Sequence, residues 1–289
     1  VLEVSGNAIV SGVINGLCLA GIYILIALGF TLILSIMNIL QFAHGEIYMI
    51  GAFITYFLAV RNGINVFLAM FISMIVVGIV GIILEKFIFR RFMGKFLPIV
   101  CVTVGLMLIL QSSVALGFGV DQKIINNVWP GVLSLDQWTI PYDRLIAVLV
   151  SIGLTLLLFV FLKFSKYGQA IVATAQNREV ALLQGINPNL MYAIVMGIGC
   201  ALAAVAGSFG GAIFVLSPFM GFTAMLKGIL IIVLGGMGSL LGVVVGGIIL
   251  GLMDGLVPTI FGPAAGVIAP MVLIMIILVI KPEGMFGHE

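Results

Sequence analysis

The sequence predicts an all-α fold, a polytopic helical membrane protein of about 8–9 membrane segments with broken or short spans and a candidate internal repeat. Three observations carry this reading. Of the 289 residues, 63% are hydrophobic and only 8% are charged, and the mean hydropathy is +1.38, far from the usage of soluble globular domains. Apolar runs of roughly 20 residues recur along almost the whole chain, and each is enough at about 1.5 Å per residue to cross a ~30 Å hydrocarbon core. No polar stretch is long enough to form a separate soluble domain, so residues 1–289 read as one transmembrane domain.

The candidate spans are roughly 7–34, 46–60, 66–89, 97–117, 144–162, 190–214, 223–236, 239–258 and 265–280. The N-terminus VLEVSGNAIV has no basic region and no small-residue cleavage signal, so the first span is expected to be retained rather than removed as a signal peptide. Basic residues in short loops stay on the cytoplasmic side. Lys86, Arg90, Arg91 and Lys95 fall in one loop, Lys163, Lys166 and Arg178 in another, and Lys281 follows the last span, which puts the N-terminus outside and the C-terminus inside. The outer loop at about 118–143 holds both tryptophans, Trp129 and Trp138, as interfacial anchors or as contacts for a partner.

The net charge of +2 is small and scattered, which argues against nucleic acid as a partner. Cys18, Cys101 and Cys200 are odd in number and lie inside apolar runs, so neither a disulfide framework nor a zinc site is expected. No nucleophile or metal constellation stands out, and the chain is not expected to be an enzyme or to hold a metal.

Transporters are often built from duplicated halves. GFTLIL at 29–34 recurs as GFTAML at 221–226, and with one gap FAHGE at 42–46 aligns with the GGMGS turn. The segment 46–60 has 15 residues and 223–236 has 14, lengths of only about 22 and 21 Å as helix. The turns QFAHGE and LGGMGS are therefore expected within the membrane depth, where irregular backbone is tolerated only if it is buried in protein or lines a watered cavity. His44, Gly45 and Glu46, with Gly235, Gly236 and Gly238, are the candidate translocation and gating residues. The alternative for Glu46 is a carboxylate that simply opens a helix, favoured by the N-terminal dipole, with His44 facing cytosol or headgroups.

Lys227 and Asp254 are a second intramembrane feature, about four residues in from the outer ends of consecutive spans. They form either a salt bridge facing the bundle interior or two side chains snorkelling to the interface. Asn15, Thr31, Thr103 and Gln111 to Ser113 are expected to make interhelical hydrogen bonds, and the 37 glycines to permit close helix approach.

The most informative polar stretch is KFSKYGQAIVATAQNREVALLQGINPNL, at 163–190. Good helix formers, a cap at Asn177 or Thr174, Gly185 at the end and Pro188 beyond it predict a short helix at about 168–186, outside the bilayer. Val180 and Leu183 share one side of it and need a partner surface, either membrane headgroups or a cytosolic protein.

This run resembles the coupling loop of ATP-binding-cassette importer permeases, specifically the high-affinity branched-chain amino acid family of the LivH type. The resemblance extends over roughly residues 12–284. Asn15-Gly16 and the run from Ala20 to Thr31 are similar to the family's first span. Phe42-Ala43-His44-Gly45-Glu46 matches its signature, Leu234 to Ser239 resembles its Gly-Gly-x-Gly-Ser element, and Lys281-Pro282-Glu283-Gly284 resembles its closing turn. The resemblance implies a multi-pass protein of the bacterial inner membrane that moves branched-chain or other small amino acids. It implies a complex with a second related permease, two ATPase subunits that bind ATP and Mg²⁺, and a periplasmic binding protein, with no cofactor on this chain.

It further implies that Arg178, Glu179, Ala181 and Gly185 lie in the loop that docks on an ATPase. Asp254 stands where many members carry Glu and Asn177 where many carry Asp, which leaves urea, short amides or aromatic acids open as solutes. The absence of a G-x-x-x-x-G-K-[ST] phosphate loop agrees with ATP hydrolysis by partners. An ion-coupled secondary transporter would use Lys227, Asp254, His44 and Glu46 as a charge relay, but leaves the cytoplasmic helix without a role.

Overall fold

A computed structural model describes residues 6–125, 131–135, 138–281 and 283–287. The long helices are α1 (Gly6–Met37), α3 (Val66–Phe87), α4 (Phe96–Phe118), α5 (Tyr142–Phe164), α8 (Pro188–Ile213), α10 (Leu240–Phe261) and α11 (Pro263–Ile280). Among the described residues these account for seven helices long and apolar enough to span a membrane. Two shorter apolar helices complete the bundle, α2 (His44–Tyr56), continued by a π-helical turn at Phe57–Arg61, and α9 (Met220–Gly235). The nine expected spans are therefore all present, with ends within four residues of their sequence positions.

The helices form two shells. The α1 and α8 spans are each 72% buried, whereas α4 and α5 are 22% and α11 is 17% buried. Small residues explain the inner shell. Gly12, Gly16 and Ala20 recur every fourth residue on α1 and meet Gly255 and Gly251 on α10, while Gly247 one turn on meets Ile24, so the two backbones touch. A Cβ on Gly16 would stand 2.8 Å from the Leu252 Cα. Such seams let dispersion and backbone contact hold helices together where lipid supplies no hydrophobic drive. The outer helices instead turn Leu, Ile, Val and Phe side chains outward, as a lipid-facing surface requires.

Cross-links fix which ends share a side. Arg90 at the inner end of α3 grips the buried Glu85 at 2.6 Å and donates to the Asn189 carbonyl at the start of α8 at 3.0 Å. At the other end Lys123 and Leu216 exchange backbone hydrogen bonds at 2.9 and 3.0 Å. The basic loops at 88–95 and 165–187 thus lie on one side, in agreement with the charge-based orientation.

The outer loop holds an antiparallel hairpin, β1 (Val132–Leu135) with β2 (Trp138–Pro141), which the apolar pattern did not predict. Trp129 lies outside the described residues, and so does His288 in the tail. The predicted single cytoplasmic helix is two, α6 (Lys166–Gln176) and α7 (Arg178–Leu183). The break falls at Asn177, whose backbone is extended while its side chain accepts from the Glu179 and Val180 amides at 3.0 and 3.1 Å. A residue that caps one helix has left the previous one.

Candidate functional site: two polar clusters and a cytoplasmic helix pair

The turn at 38–43 ends well inside the membrane. His44 is level with Ile26 and Phe30 of α1, about 10–16 Å short of that helix's inner end at about 1.5 Å per residue. The His44 Nε2 donates to the Ile26 carbonyl at 3.2 Å, and the ring stacks on Phe30 at 5.3 Å. His44 and Glu46 are both fully buried. Glu46 lies in the first turn of α2 and abuts Gly221 in the first turn of α9, so its carboxylate stands where two helix N-termini converge. Gly45 makes this possible, since a Cβ there would overlap the Gly221 carbonyl oxygen and come within 2.7 Å of the Met225 Cβ. Both Glu46 oxygens and His44 Nδ1 lack a hydrogen-bond partner among the described residues.

In this conformation the QFAHGE residues from 42 to 46 are not in the lining of the pocket that the second turn borders. The cytoplasmic pocket of about 490 Å³ is lined by Ser35, Asn38, Met237 and Gly238, with His44, Gly45 and Glu46 sealed above it. The second turn belongs to the inner surface. The C-terminal tail folds back on it, with the Met285 and Phe286 amides donating to the Leu234 and Gly235 carbonyls at 2.9 and 3.0 Å. The last carbonyls of α9, which have no partner within the helix, are thereby capped by the tail. Sequence reasoning had both glycine-rich pieces but not their pairing, because hydrogen bonds of a tail to a distant helix end leave no periodic signal.

Lys227 and Asp254 are brought together. The Lys227 Nζ donates to both Asp254 oxygens at 2.8 and 2.6 Å, and the Tyr23 hydroxyl donates to Asp254 Oδ2 at 2.7 Å. The distances decide for the ion pair over snorkelling. The pair also sits about a turn deeper than expected, because α9 starts at Met220 and α10 runs on to Phe261. Tyr23 was missed as a member; a hydroxyl on an otherwise apolar span was its only signal. Nearby, the Arg144 guanidinium of α5 donates to the Asn15 side chain of α1. Thr103 reaches the Leu40 carbonyl at 3.4 Å, whereas Ser113 bonds within its own helix at 2.7 Å.

On the cytoplasmic side, α6 is tied to α5 by Ser165, which caps it through the Gly168 amide at 2.8 Å. In α7, Ala181 is buried against the bundle while Leu183 is 88% exposed, with Val180 and Leu182 beside it. Gly185 closes the helix at φ +81°, a conformation that favours glycine. Arg178 rests over the Tyr192 ring at 6.0 Å. Arg178 and Glu179 line a vestibule of about 680 Å³ together with Met37, Asn38, Lys95 and Tyr192. Among the described residues no three His, Cys, Asp or Glu side chains are grouped as a metal would require.

Residues 12–280 match the family described as the branched-chain amino acid transport system permease component. The chain belongs to that family. It is 32% identical to the high-affinity branched-chain amino acid transport system permease protein BraD of Pseudomonas aeruginosa, over 95% of this chain and 94% of the relative. It is 29% identical to LivH of Escherichia coli K12, another permease protein of a high-affinity branched-chain amino acid transport system, over the same shares. Among solved structures, PsaBC from Streptococcus pneumoniae in complex with Fab has a similar fold, with a TM-score of 0.54 and 13% identity, covering 93% of this chain and 91% of that one. As a member of this permease family, the chain is the membrane-spanning transport component of an ATP-binding-cassette importer.

Proposed function

We propose that this chain is one of a pair of related permease subunits of an ATP-driven importer in the bacterial inner membrane, carrying branched-chain amino acids inward. Its relatives' names supply the solute class. Two ATPase subunits bind ATP and Mg²⁺ on the cytoplasmic side, and a binding protein delivers the amino acid from outside. This chain itself holds no cofactor and does no covalent chemistry.

The observation that carries the reading is the α6–α7 pair. It is capped at both joints, rooted by Ala181, and leaves Val180 and Leu182 about half exposed and Leu183 almost wholly so among the described residues. A short rigid helix with an exposed aliphatic end and a basic and an acidic residue at its start suits a groove on a partner protein. Because α6 is tied to α5 and α7 runs directly into α8, a push on α7 is transmitted to the buried α8 and hence to the helices around it. ATP-driven closure of the partners would rock these spans and open the pathway to each side in turn.

The test is purification from the native membrane in mild detergent, followed by reconstitution with the co-purifying subunits and the binding protein. Arg178→Ala with Glu179→Ala is expected to leave the chain in the membrane but to cut both leucine uptake and stimulated ATPase activity by at least about tenfold, the scale of one lost charged contact at an interface. Wild-type uptake in that variant would sink the docking assignment. Recovery of this chain alone, active when reconstituted alone, would sink the importer.

A further inference from the structure

We propose that Lys227, Asp254 and Tyr23 form a binding subsite for the zwitterionic head of an α-amino acid in the outer half of the membrane, with an apolar wall alongside for its side chain. This rests on the reading of the chain as an amino acid permease and deepens it by naming where on this chain the solute is held.

The ion pair is not sealed. Its side chains retain 20% and 11% of their exposure, and a cavity adjoins it on each side. One, of about 270 Å³, is lined by Tyr23 and Lys227 together with Ile22, Tyr48 and Met220. The other, of about 360 Å³, is lined by Asp254, Arg144 and Asn15. Lys227 and Tyr23 thus line one cavity and Asp254 the other, and Phe214 is in the lining of both.

The hydrogen-bond capacity left over matches a zwitterion. An ammonium has three donors, and Lys227 uses two of them on Asp254. A carboxylate has about four acceptor positions, and Asp254 uses three, two for Lys227 and one for Tyr23. Among the described residues one donor of Lys227 remains beside the smaller cavity and one acceptor of Asp254 beside the larger, so an amino acid head lying at the junction of the two meets both, its carboxylate toward Lys227 and its ammonium toward Asp254. A solute bearing both charges keeps the cluster neutral, whereas one bearing a single charge leaves an uncompensated charge in a poorly solvated site. At about 270 Å³ the smaller cavity is near the lower edge of the roughly 300–1,000 Å³ of small-molecule sites, the scale of a small amino acid. Ile22, Ile26 and Met220 make its wall suitable for an aliphatic chain. A purely structural pair needs neither the flanking cavities nor the spare donor and acceptor.

Two measurements on the full importer with its ATPase and binding-protein subunits test this. In the first, Met220→Cys places a thiol in the cavity wall, and alkylation by a small maleimide is followed at position 220 by mass spectrometry. Leucine is expected to slow labelling about fivefold or more once it exceeds its dissociation constant several times over, while isovalerate and isoamylamine, each lacking one charge, do not protect. In the second, Lys227→Met with Asp254→Leu is expected to assemble with the other subunits while uptake falls about 30-fold, the value of a charge-assisted hydrogen bond. Uptake at the wild-type rate in that variant, or in the swapped Lys227→Asp with Asp254→Lys, would reduce the pair to structure and overturn the subsite. Should the apolar variant fail to assemble, labelling at position 220 still decides. Leucine imported by the Met220→Cys importer with no protection at position 220, or equal protection by a singly charged analogue, overturns the subsite while the permease reading stands. Import of a different zwitterion by the wild type, with protection by that solute in Met220→Cys, would instead correct the solute and leave the subsite in place.

Discussion

Two polar clusters lie inside the membrane, and they differ in how the surrounding backbone treats them. At the inner one, His44 and Glu46 are fully buried, and Gly45 presses on Gly221 so closely that no side chain fits between α2 and α9. At the outer one, Lys227 and Asp254 neutralise each other and yet border cavities on two sides. An ionisable residue in a membrane segment therefore marks a place of special construction, but not by itself a pathway. Glycine contact closes one site and leaves the inner cluster to organise two half-length helices. The bulkier Tyr23, Phe214 and Met220 leave gaps at the other, and those gaps are where a solute fits.

The most disruptive way to break this contrast is to add bulk at the inner joint. Gly45→Leu would drive its Cβ into the Gly221 carbonyl and the Met225 side chain, both parts of a fully buried contact. Overpacking against backbone is expected to cost more than about 3 kcal/mol, enough to remove most folded protein from the membrane and to lower the thermal midpoint of the solubilised complex sharply. Gly105→Ala on α4 is the control, since nothing stands within 4 Å of a Cβ there, and it should behave as wild type. A normal yield and midpoint for Gly45→Leu would mean that the joint is not closed.

How far the sequence reveals this arrangement depends on the kind of contact. The apolar segments and the shared side of the basic loops were legible because hydrophobic length and basic loops are local quantities. The Lys227–Asp254 pairing was legible as a choice between two readings, since two charges in consecutive spans have few partners. The α6–α7 break was half legible: Asn177 was read as a possible cap, but a run of good helix formers on both sides concealed that the chain leaves the helix there. The sealed state of the inner turn was not legible. FAHGE shows that something irregular enters the membrane, but whether it lines water depends on which glycine of a segment some 175 residues away lies against Gly45. The hairpin at 132–141 and the tail docked on α9 were missed for the same reason, being fixed by partners rather than by period.

A smaller perturbation sharpens the outer half of the contrast. Tyr23→Phe removes one hydrogen bond to the Asp254 carboxylate and nothing else of its bulk. Hydrogen bonds to charged groups contribute about 1.5–3 kcal/mol in soluble proteins, and interhelical ones in membranes less, about 0.6–1.7. A loss of about 1–2 kcal/mol is expected, seen as a modest drop in thermal midpoint. With the carboxylate freed to turn, leucine uptake should fall further than stability does. Uptake equal to that of the wild type would show that Tyr23 merely neighbours the pair.

The mildest change carries the other half. Glu46→Gln keeps the shape of the side chain and removes its charge, while the first-turn amide dipoles of α2 and α9 still point at the position. Each helix N-terminus favours an anion by about 0.3–1 kcal/mol, and burial of a carboxylate without a partner opposes that gain, so neutralising Glu46 is expected to change the stability of the complex by no more than about 1 kcal/mol. Because the side chain is fully buried and lines none of the cavities described above, uptake should stay within about twofold of wild type, about 0.4 kcal/mol being the corresponding difference in barrier. A thermal midpoint near wild type combined with lost uptake would reverse the assignment: Glu46 would then act in a state of the transport cycle in which α2 and α9 have separated, and the joint at Gly45 and Gly221 would be the gate.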